Sequence, residues 1–272
     1  MNFFATRYND CMNVSENGLL SDGEKIFDLE CDGLKIIQHP RGYSFTTDAV
    51  LLANTVKARR RDSVLELGAG SGVISLLISE KCRPKRITAI EIQPRLADMA
   101  RRSVMLNGLE EKISVIEGDI RCLKSYISEP FDVVCSNPPY SPFHGDPSWA
   151  NETEICKQEV LVTLSEVVRA AGEALKFGGK FFVIVSSERL PDLFFAMRMY
   201  EVEPKVLTPV QPTPEKDINT VIVTGIKCGK PGLKVTKPLI ITNADGSYTE
   251  TVRRMYFNDG RAFYSRDSDR KP

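Results

Sequence analysis

The chain of 272 residues has two histidines, His39 and His144, one tryptophan, and seven cysteines of which no two form a C-x-x-C pair. Zinc sites of the usual Cys/His kind need such paired ligands, so no metal is expected. An odd number of cysteines without a secretory pattern points to reduced thiols and a cytoplasmic protein. Long apolar runs are missing as well. Met1 to Val14 has no continuous apolar core of the signal-peptide kind, and no later run approaches ~20 apolar residues, so no membrane span is expected. Nor is there an excess of one charge: 36 basic residues balance 36 acidic ones, and nothing global advertises a polyanionic partner. The asymmetry is local, in Arg59-Arg60-Arg61, Lys81 to Arg86, Arg101-Arg102 and Lys227 to Lys237. Such clusters suit phosphate contact or plain solvated surface, and the solvated reading is preferred for Arg101-Arg102, which lie on an amphipathic helical run.

What is present is an alternation of short apolar runs with helical ones, the pattern of an α/β fold with a mostly parallel sheet. Ser63 to Leu67, Ile87 to Ile92, Ile113 to Glu117 and Phe131 to Ser136 read as buried strands. Between them, Val73 to Ser79 and Pro94 to Leu106 read as helices, the second stopped by Asn107-Gly108. A helix is expected from about Gln158 to Lys176 with Gly178-Gly179 as its terminus, followed by a strand over Lys180 to Ser186. A helix from about Pro191 to Tyr200 and strands near Pro204 to Pro209 and Asn219 to Lys227 complete the series. Upstream, Phe27 to Gln38 suggests short strands, and Thr47-Asp48 suits the start of a helix over Ala49 to Val56.

Three strand ends carry cofactor chemistry. After the first, Gly68-Ala69-Gly70-Ser71-Gly72 gives a strand, a glycine turn and a helix, and glycines there allow positive φ and close approach of a bound nucleoside-like cofactor. The spacing is G-x-G-x-G; Val73 stands where the dinucleotide fingerprint has its last glycine, so a pyrophosphate is less well served. Glu91, at the end of the second strand, can accept from both hydroxyls of a ribose. Asp119, after the third, can accept from an adenine amino group. The fourth strand ends in Asn137-Pro138-Pro139-Tyr140, where prolines stiffen the turn at the end of the sheet that binds ligands in open α/β folds. The Asn137 amide oxygen and the Pro138 carbonyl can together hold one NH2 group, and Tyr140 offers a stacking face worth ~1–3 kcal/mol. Each residue has a plainer role available. Asn-Pro-Pro also ends ordinary strands, Glu66 can be a strand-end charge, Ile92 and Ile120 can be core, and glycine turns occur in many α/β proteins.

Taken in order, these elements resemble the class I S-adenosylmethionine-dependent methyltransferases that modify planar amines. The resemblance implies a Rossmann-like domain with a seven-stranded, mostly parallel sheet and a short β-rich N-terminal extension. It also implies that Glu66, Gly68, Gly70 and Gly72 line the methionine part of S-adenosylmethionine, Glu91 with Ile92 the ribose, and Asp119 with Ile120 the adenine. In such enzymes the segment at Thr47 and Asp48 closes over the methionine end, a role compatible with helix capping. The expected divisions are residues 1–45 for the extension, 46–230 for the methyltransferase domain and 231–272 for a partly disordered C-terminal extension.

The flanks narrow the resemblance. Phe45-x-x-Asp48-Ala49-Val50-Leu51-Leu52, Glu159, Pro231-Gly232-Leu233 and Tyr248-Thr249-x-x-Val252 make the chain similar, from about Gly23 to Tyr256, to bacterial enzymes that methylate the exocyclic amine of an adenosine beside the anticodon of a valine tRNA. One departure is Lys157-Gln158-Glu159, where that family often has Arg-His-Glu. The resemblance implies a flipped adenosine as acceptor, with Asn137 and Pro138 holding its amine, Tyr140 and Phe143 stacking its base, and Lys216 as a candidate RNA contact or an ordinary surface lysine. Three rivals remain. Glutamine methylation of peptide release factors uses the same tetrapeptide but with a sizeable helical N-terminal domain. Guanine-amino methylation of ribosomal RNA typically has a duplicated domain. A non-catalytic RNA-binding scaffold is disfavoured by the intact Asn137 and Tyr140.

Overall fold

The periodic runs fold into a single sheet with helices on both faces, preceded by a separate hairpin; the computed structural model describes residues 18–40, 46–139 and 161–256. The hairpin is β1 (Lys25–Asp28) and β2 (Lys35–Gln38). Then come α1 (Thr47–Thr55), β3 (Ser63–Leu67), α2 (Val73–Lys81), β4 (Arg86–Glu91), α3 (Pro94–Leu106) and β5 (Ile113–Glu117). A 3-10 turn over Ile120–Ser125 leads to β6 (Phe131–Ser136). The second half holds α4 (Leu164–Ala174), β7 (Leu175–Ser186), α5 (Leu190–Met199), β8 (Val202–Gln211), β9 (Thr220–Lys227), β10 (Lys234–Val235), β11 (Leu239–Ile240) and α6 (Glu250–Tyr256).

The sheet order is β10-β8-β9-β7-β6-β3-β4-β5, with β11 also on β8. Strands β3 to β7 are parallel to one another, and only β9 is reversed, wedged antiparallel between β7 and β8. Sequence order reverses direction between β3 and β6, which puts a crevice at the carboxyl ends of those two strands. The seven expected strands are present, and the C-terminal segment adds two further strands of two residues each. Strand β3 is buried along its whole length, as a parallel strand covered on both faces must be. One face packs against α1, α2, α6 and the hairpin through residues such as Leu51, Leu76 and Ile36. The other packs against α4 and α5 through Val168, Leu193 and Phe181.

Three expectations are corrected. The helix expected from about Gln158 to Lys176 begins at Leu164, because Thr163 and Glu166 form a capping box: the Thr163 hydroxyl accepts from the Glu166 amide at 3.3 Å, and the Glu166 carboxylate accepts from the Thr163 amide at 2.8 Å. Residues 161–163 are not helical, and residues 158–160 lie outside the described ones. The same helix stops at Ala174 rather than at Gly178-Gly179, since Leu175 already pairs with Phe131 and the glycines sit inside β7, where Gly178 takes a φ of 73° beside a shift in register. Finally, Arg102 is not solvated surface. Its guanidinium donates to the buried Glu24 carboxylate at 3.0 Å, with the Arg102 side chain 14% exposed, and this pair ties the hairpin to α3. Asn107 and Ser103 complete the seam: Lys35 N donates to Asn107 Oδ1 at 2.8 Å, and Ile37 N to Ser103 Oγ at 3.0 Å.

Candidate active site

The glycine turn after β3 is fastened to the end of β4. Gly68 N and Ala69 N both donate to the Ile90 carbonyl, at 2.9 and 3.0 Å, and Gly70 N donates to Glu91 Oε2 at 2.7 Å. Gly68, Gly70 and Gly72 take φ of 72°, 56° and 87°, where a side chain strains the backbone. Gly72 opens α2 and has a second reason to lack a Cβ, which would stand 3.2 Å from that of Ala100 on α3.

Two carboxylates sit at this turn in contrasting surroundings. Glu91 is 5% exposed; its second oxygen accepts from Gln93 N at 2.9 Å, so both oxygens are held by backbone amides and keep further lone pairs. Glu66 is fully buried between β3 and the first turn of α2. One of its oxygens accepts from the Ser75 hydroxyl, and the other has no partner among the described residues. Burial pushes its pKa up to about 8 against the opposing Ser75 bond, and the nearby Glu91 adds to the rise. Asp119 differs again. Its carboxylate is clamped by the Arg121 guanidinium at 2.6 to 3.0 Å, and that bond holds its pKa below the usual carboxylate range.

An open cleft of about 660 Å³ lies at the carboxyl ends of β3, β4 and β6. Of the expected site residues it brings together Gly68, Gly70, Glu91, Ile92, Ile120, Asn137 and Pro138. Gly72, Glu66 and Asp119 stand behind or beside this wall without lining it. Thr47 and Asp48 are first-turn residues of α1, whose N-cap is Thr46, and the phenol of Tyr256 on α6 packs beside them. Lys216 is exposed in the loop between β8 and β9, at the same end of the sheet as the cleft but outside its lining. Tyr140, Phe143, Lys157-Gln158-Glu159 and the tail after Asn258 lie outside the described residues.

A family model described as the methyltransferase small domain matches residues 45–197, more than half of the chain. The chain belongs to that family. Among its relatives, a Porphyromonas gingivalis protein named tRNA1(Val) (adenine(37)-N6)-methyltransferase is 29% identical over 63% of this chain and 69% of its own length. A putative protein N5-glutamine methyltransferase of Methanocaldococcus jannaschii is 33% identical over 43% of this chain and 57% of its own. Of the solved structures, that of a predicted O-methyltransferase from Agrobacterium tumefaciens superposes with a TM-score of 0.64 at 23% identity, covering 78% of this chain and 95% of the other. That likeness is one of fold.

The protein is therefore a Rossmann-like methyltransferase whose cofactor is S-adenosylmethionine. The residues present fit that molecule. Glu91 offers lone pairs to a ribose, Ile92, Ile120 and Val162 offer apolar wall to a planar base, and the unpartnered oxygen of Glu66 is a buried polar atom left over beside the turn. Two groups of site residues escaped the sequence reading. Leu161 and Val162 line the cleft just before the capping box, on a stretch read as helix. Gln38, 3% exposed at the end of β2, donates from Nε2 to Ser71 Oγ at 3.1 Å, so the hairpin reaches into the glycine turn itself. No local pattern flags a bond between residues so far apart in sequence. Among the described residues, no cluster of three or more His, Cys, Asp or Glu is placed to hold a metal, and no helix is long and apolar enough to cross a membrane.

Proposed function

We propose that this methyltransferase acts on the exocyclic N6 amine of an adenosine in tRNA, next to the anticodon of a valine tRNA. The observation that carries the reading is the shared cleft: Asn137 and Pro138 line the same cavity as Glu91 and Ile120, so an acceptor amine held at the first pair lies next to the cofactor held at the second. The name of the Porphyromonas gingivalis relative supports adenosine in tRNA as that acceptor.

When bound, S-adenosylmethionine supplies an electrophilic methyl group on a sulfonium. The protein's part is positioning. An adenine amine is a poor nucleophile because its lone pair is delocalised into the ring. Acceptors at Asn137 Oδ1 and the Pro138 carbonyl, aimed at the two amine hydrogens, favour the pyramidal, charge-developing nitrogen over the planar one. Tyr140 stacks the flipped base, aided by Phe143, and alignment of nitrogen, methyl and sulfur provides most of the acceleration. No strong general base is required, since the nitrogen becomes acidic once it is cationic and its proton can leave to water. Glu91 and Ile92 hold the ribose, Asp119 and Ile120 flank the adenine, and Thr47, Asp48, Glu66 and the three glycines surround the methionine end. Lys216 serves as an RNA contact at the rim. The C-terminal segment from residue 231 is an extension of the domain that begins at residue 46. The protein works in the cytoplasm.

A second reading, methylation of a glutamine side-chain amide in a peptide release factor, draws support from the Methanocaldococcus jannaschii relative. The same two acceptors suit an amide NH2. Incubation with S-adenosylmethionine and either unmodified valine tRNA or a release factor, followed by mass spectrometry of nucleosides and peptides, separates the two. N6-methyladenosine in the tRNA is the expected product; label confined to the release factor would transfer the assignment to glutamine.

A further inference from the structure

The amino-terminal ends of the strands, opposite the cleft, gather the basic runs of the sequence into one surface. The loop before β3 carries Lys57, Arg59, Arg60 and Arg61, all exposed, and the loop before β4 carries Lys85. The two loops are joined by a hydrogen bond from Lys85 N to the Asp62 carbonyl at 2.9 Å and by the pairing of Ser63 with Arg86. A third loop contributes Lys112, whose ammonium is held below the usual lysine range by burial first and then by Arg83 and Arg60, with Glu80 opposing. Cations from three separate loops therefore stand close together.

Several carboxylates of this region are engaged, while Glu110 and Glu111 stand exposed on the same loop as Lys112. Glu80 pairs with Arg83, Glu129 with Arg86 at 3.1 Å, and Asp62 Oδ2 accepts from Arg59 N at 2.8 Å. Lys57, Arg59, Arg60, Arg61 and Lys85 have no carboxylate within ion-pairing distance among the described residues, so the surface keeps a net positive charge. It continues sideways: Asp132 accepts from Ser63 N at 2.9 Å and from Lys176 Nζ at 2.8 Å, and the next residue, Phe177, is 85% exposed. An aromatic ring this exposed, next in sequence to Lys176 and at the same end of the sheet as the cations, adds a flat partner for an unpaired base to the phosphate charge that a nucleic acid needs.

We propose that this end of the sheet is a second RNA-binding surface, in which Arg60, Arg61 and Lys85 contact phosphates of the acceptor RNA and Phe177 stacks one of its unpaired bases. It rests on the reading of the acceptor as RNA. Strand β4 runs from Arg86 at this surface to Glu91 at the cleft, a separation of roughly 17 Å at 3.3 Å per residue, so the two sites are distinct and an RNA that contacts both reaches from one end of the sheet to the other. Contacts to phosphates carry no sequence information, so this surface sets affinity and register while the cleft selects the base.

The test is the affinity of the full-length protein for unmodified tRNA as a function of salt, measured by fluorescence anisotropy on wild type, on the combined variant Arg60→Gln/Arg61→Gln/Lys85→Gln, and on Phe177→Ala. The combined variant is expected to bind at least tenfold more weakly at low salt. Its slope of log affinity against log salt should be shallower by about 2, at ~0.7–0.9 for each phosphate no longer neutralised. Phe177→Ala should weaken binding at all salt concentrations without changing the slope. S-adenosylmethionine affinity and thermal midpoint should match wild type in both. Unchanged affinity and slope in the combined variant would overturn the proposal, as would wild-type protein that binds anionic phospholipid vesicles but no tRNA. If wild type methylates no tRNA and the combined variant still loses tRNA binding, the acceptor assignment fails and this surface stands.

Discussion

The two halves of the cleft are built by different means. The half proposed for the cofactor is made largely of backbone: glycines at positive φ, amides of Gly68 and Ala69 on the Ile90 carbonyl, and a buried Glu91 held by Gly70 N and Gln93 N. The half proposed for the acceptor lies at the end of β6, where Asn137 and Pro138 are among the described residues that line it. A backbone cradle is stiff and indifferent to the acceptor, and suits a cofactor shared by many enzymes. Two acceptors that suit any planar NH2 leave the choice of substrate to their surroundings, and both a tRNA methyltransferase and a putative glutamine methyltransferase are named among the relatives of this chain. Changes in the acceptor half should therefore lower turnover at constant cofactor affinity, and changes in the cofactor half should do the reverse.

The largest effect is expected at Asn137. Asn137→Ala should lower turnover by about 10²–10³-fold, the scale for removing one preorganised polar group from a transition state. Its dissociation constant for S-adenosylmethionine should stay within about twofold of wild type by calorimetry. A variant that binds cofactor poorly while keeping its turnover would reverse the assignment of the two halves.

Next comes Glu66, where the sign of the pH dependence is fixed by the direction of the shift. Its folded pKa of about 8 lies above the ordinary 4.5, so the folded protein binds more protons than the unfolded chain between those values. Stability therefore falls as pH rises from about 4.5 to about 8 and levels off above that. Glu66→Gln removes this dependence and retains an amide for Ser75, so its advantage in unfolding free energy should grow across that window, reaching no more than about 4 kcal/mol. Denaturant unfolding of both proteins without cofactor at pH 5 and pH 8 measures it, and a constant difference between the two pH values would mean that Glu66 titrates normally. Glu91→Ala should then raise the cofactor dissociation constant by about 10–100-fold, since it removes charge-assisted bonds to ligand and turn together.

Much of this arrangement was legible from local pattern. The glycine turn, the acidic end of β4 and the stiff end of β6 are each marked by a few neighbouring residues, and their order implies the fold and the cleft. Three kinds of feature were not legible. The start of α4 depends on a Thr163-to-Glu166 box that the apolar periodicity runs straight through. The direct passage from α4 into β7 depends on Leu175 pairing with Phe131, a partner far away in sequence. Strands β10 and β11, of two residues each, exist only because the edge of β8 offers unpaired backbone groups. The placement of Arg102 follows the same rule: its run looks solvated until Glu24 arrives from the hairpin to bury it.

The smallest expected effect bears most directly on whether the hairpin is an appendage or part of the cofactor half. The hairpin is held to α3 by Asn107, Ser103 and the Arg102–Glu24 pair, and beyond that seam a single buried side chain, Gln38, reaches Ser71 inside the glycine turn. The bond lies outside the cleft lining, so it can act on the cofactor only by fixing the turn between Gly70 and Gly72. Losing one buried hydrogen bond costs about 1 kcal/mol, so Gln38→Leu should weaken S-adenosylmethionine binding by roughly fivefold with turnover at saturating cofactor unchanged. Ser71→Ala should do the same, and the double variant should be no worse than either single one, because both remove the same bond. Additive losses would mean that Gln38 and Ser71 act separately, and the hairpin would then contribute only to folding.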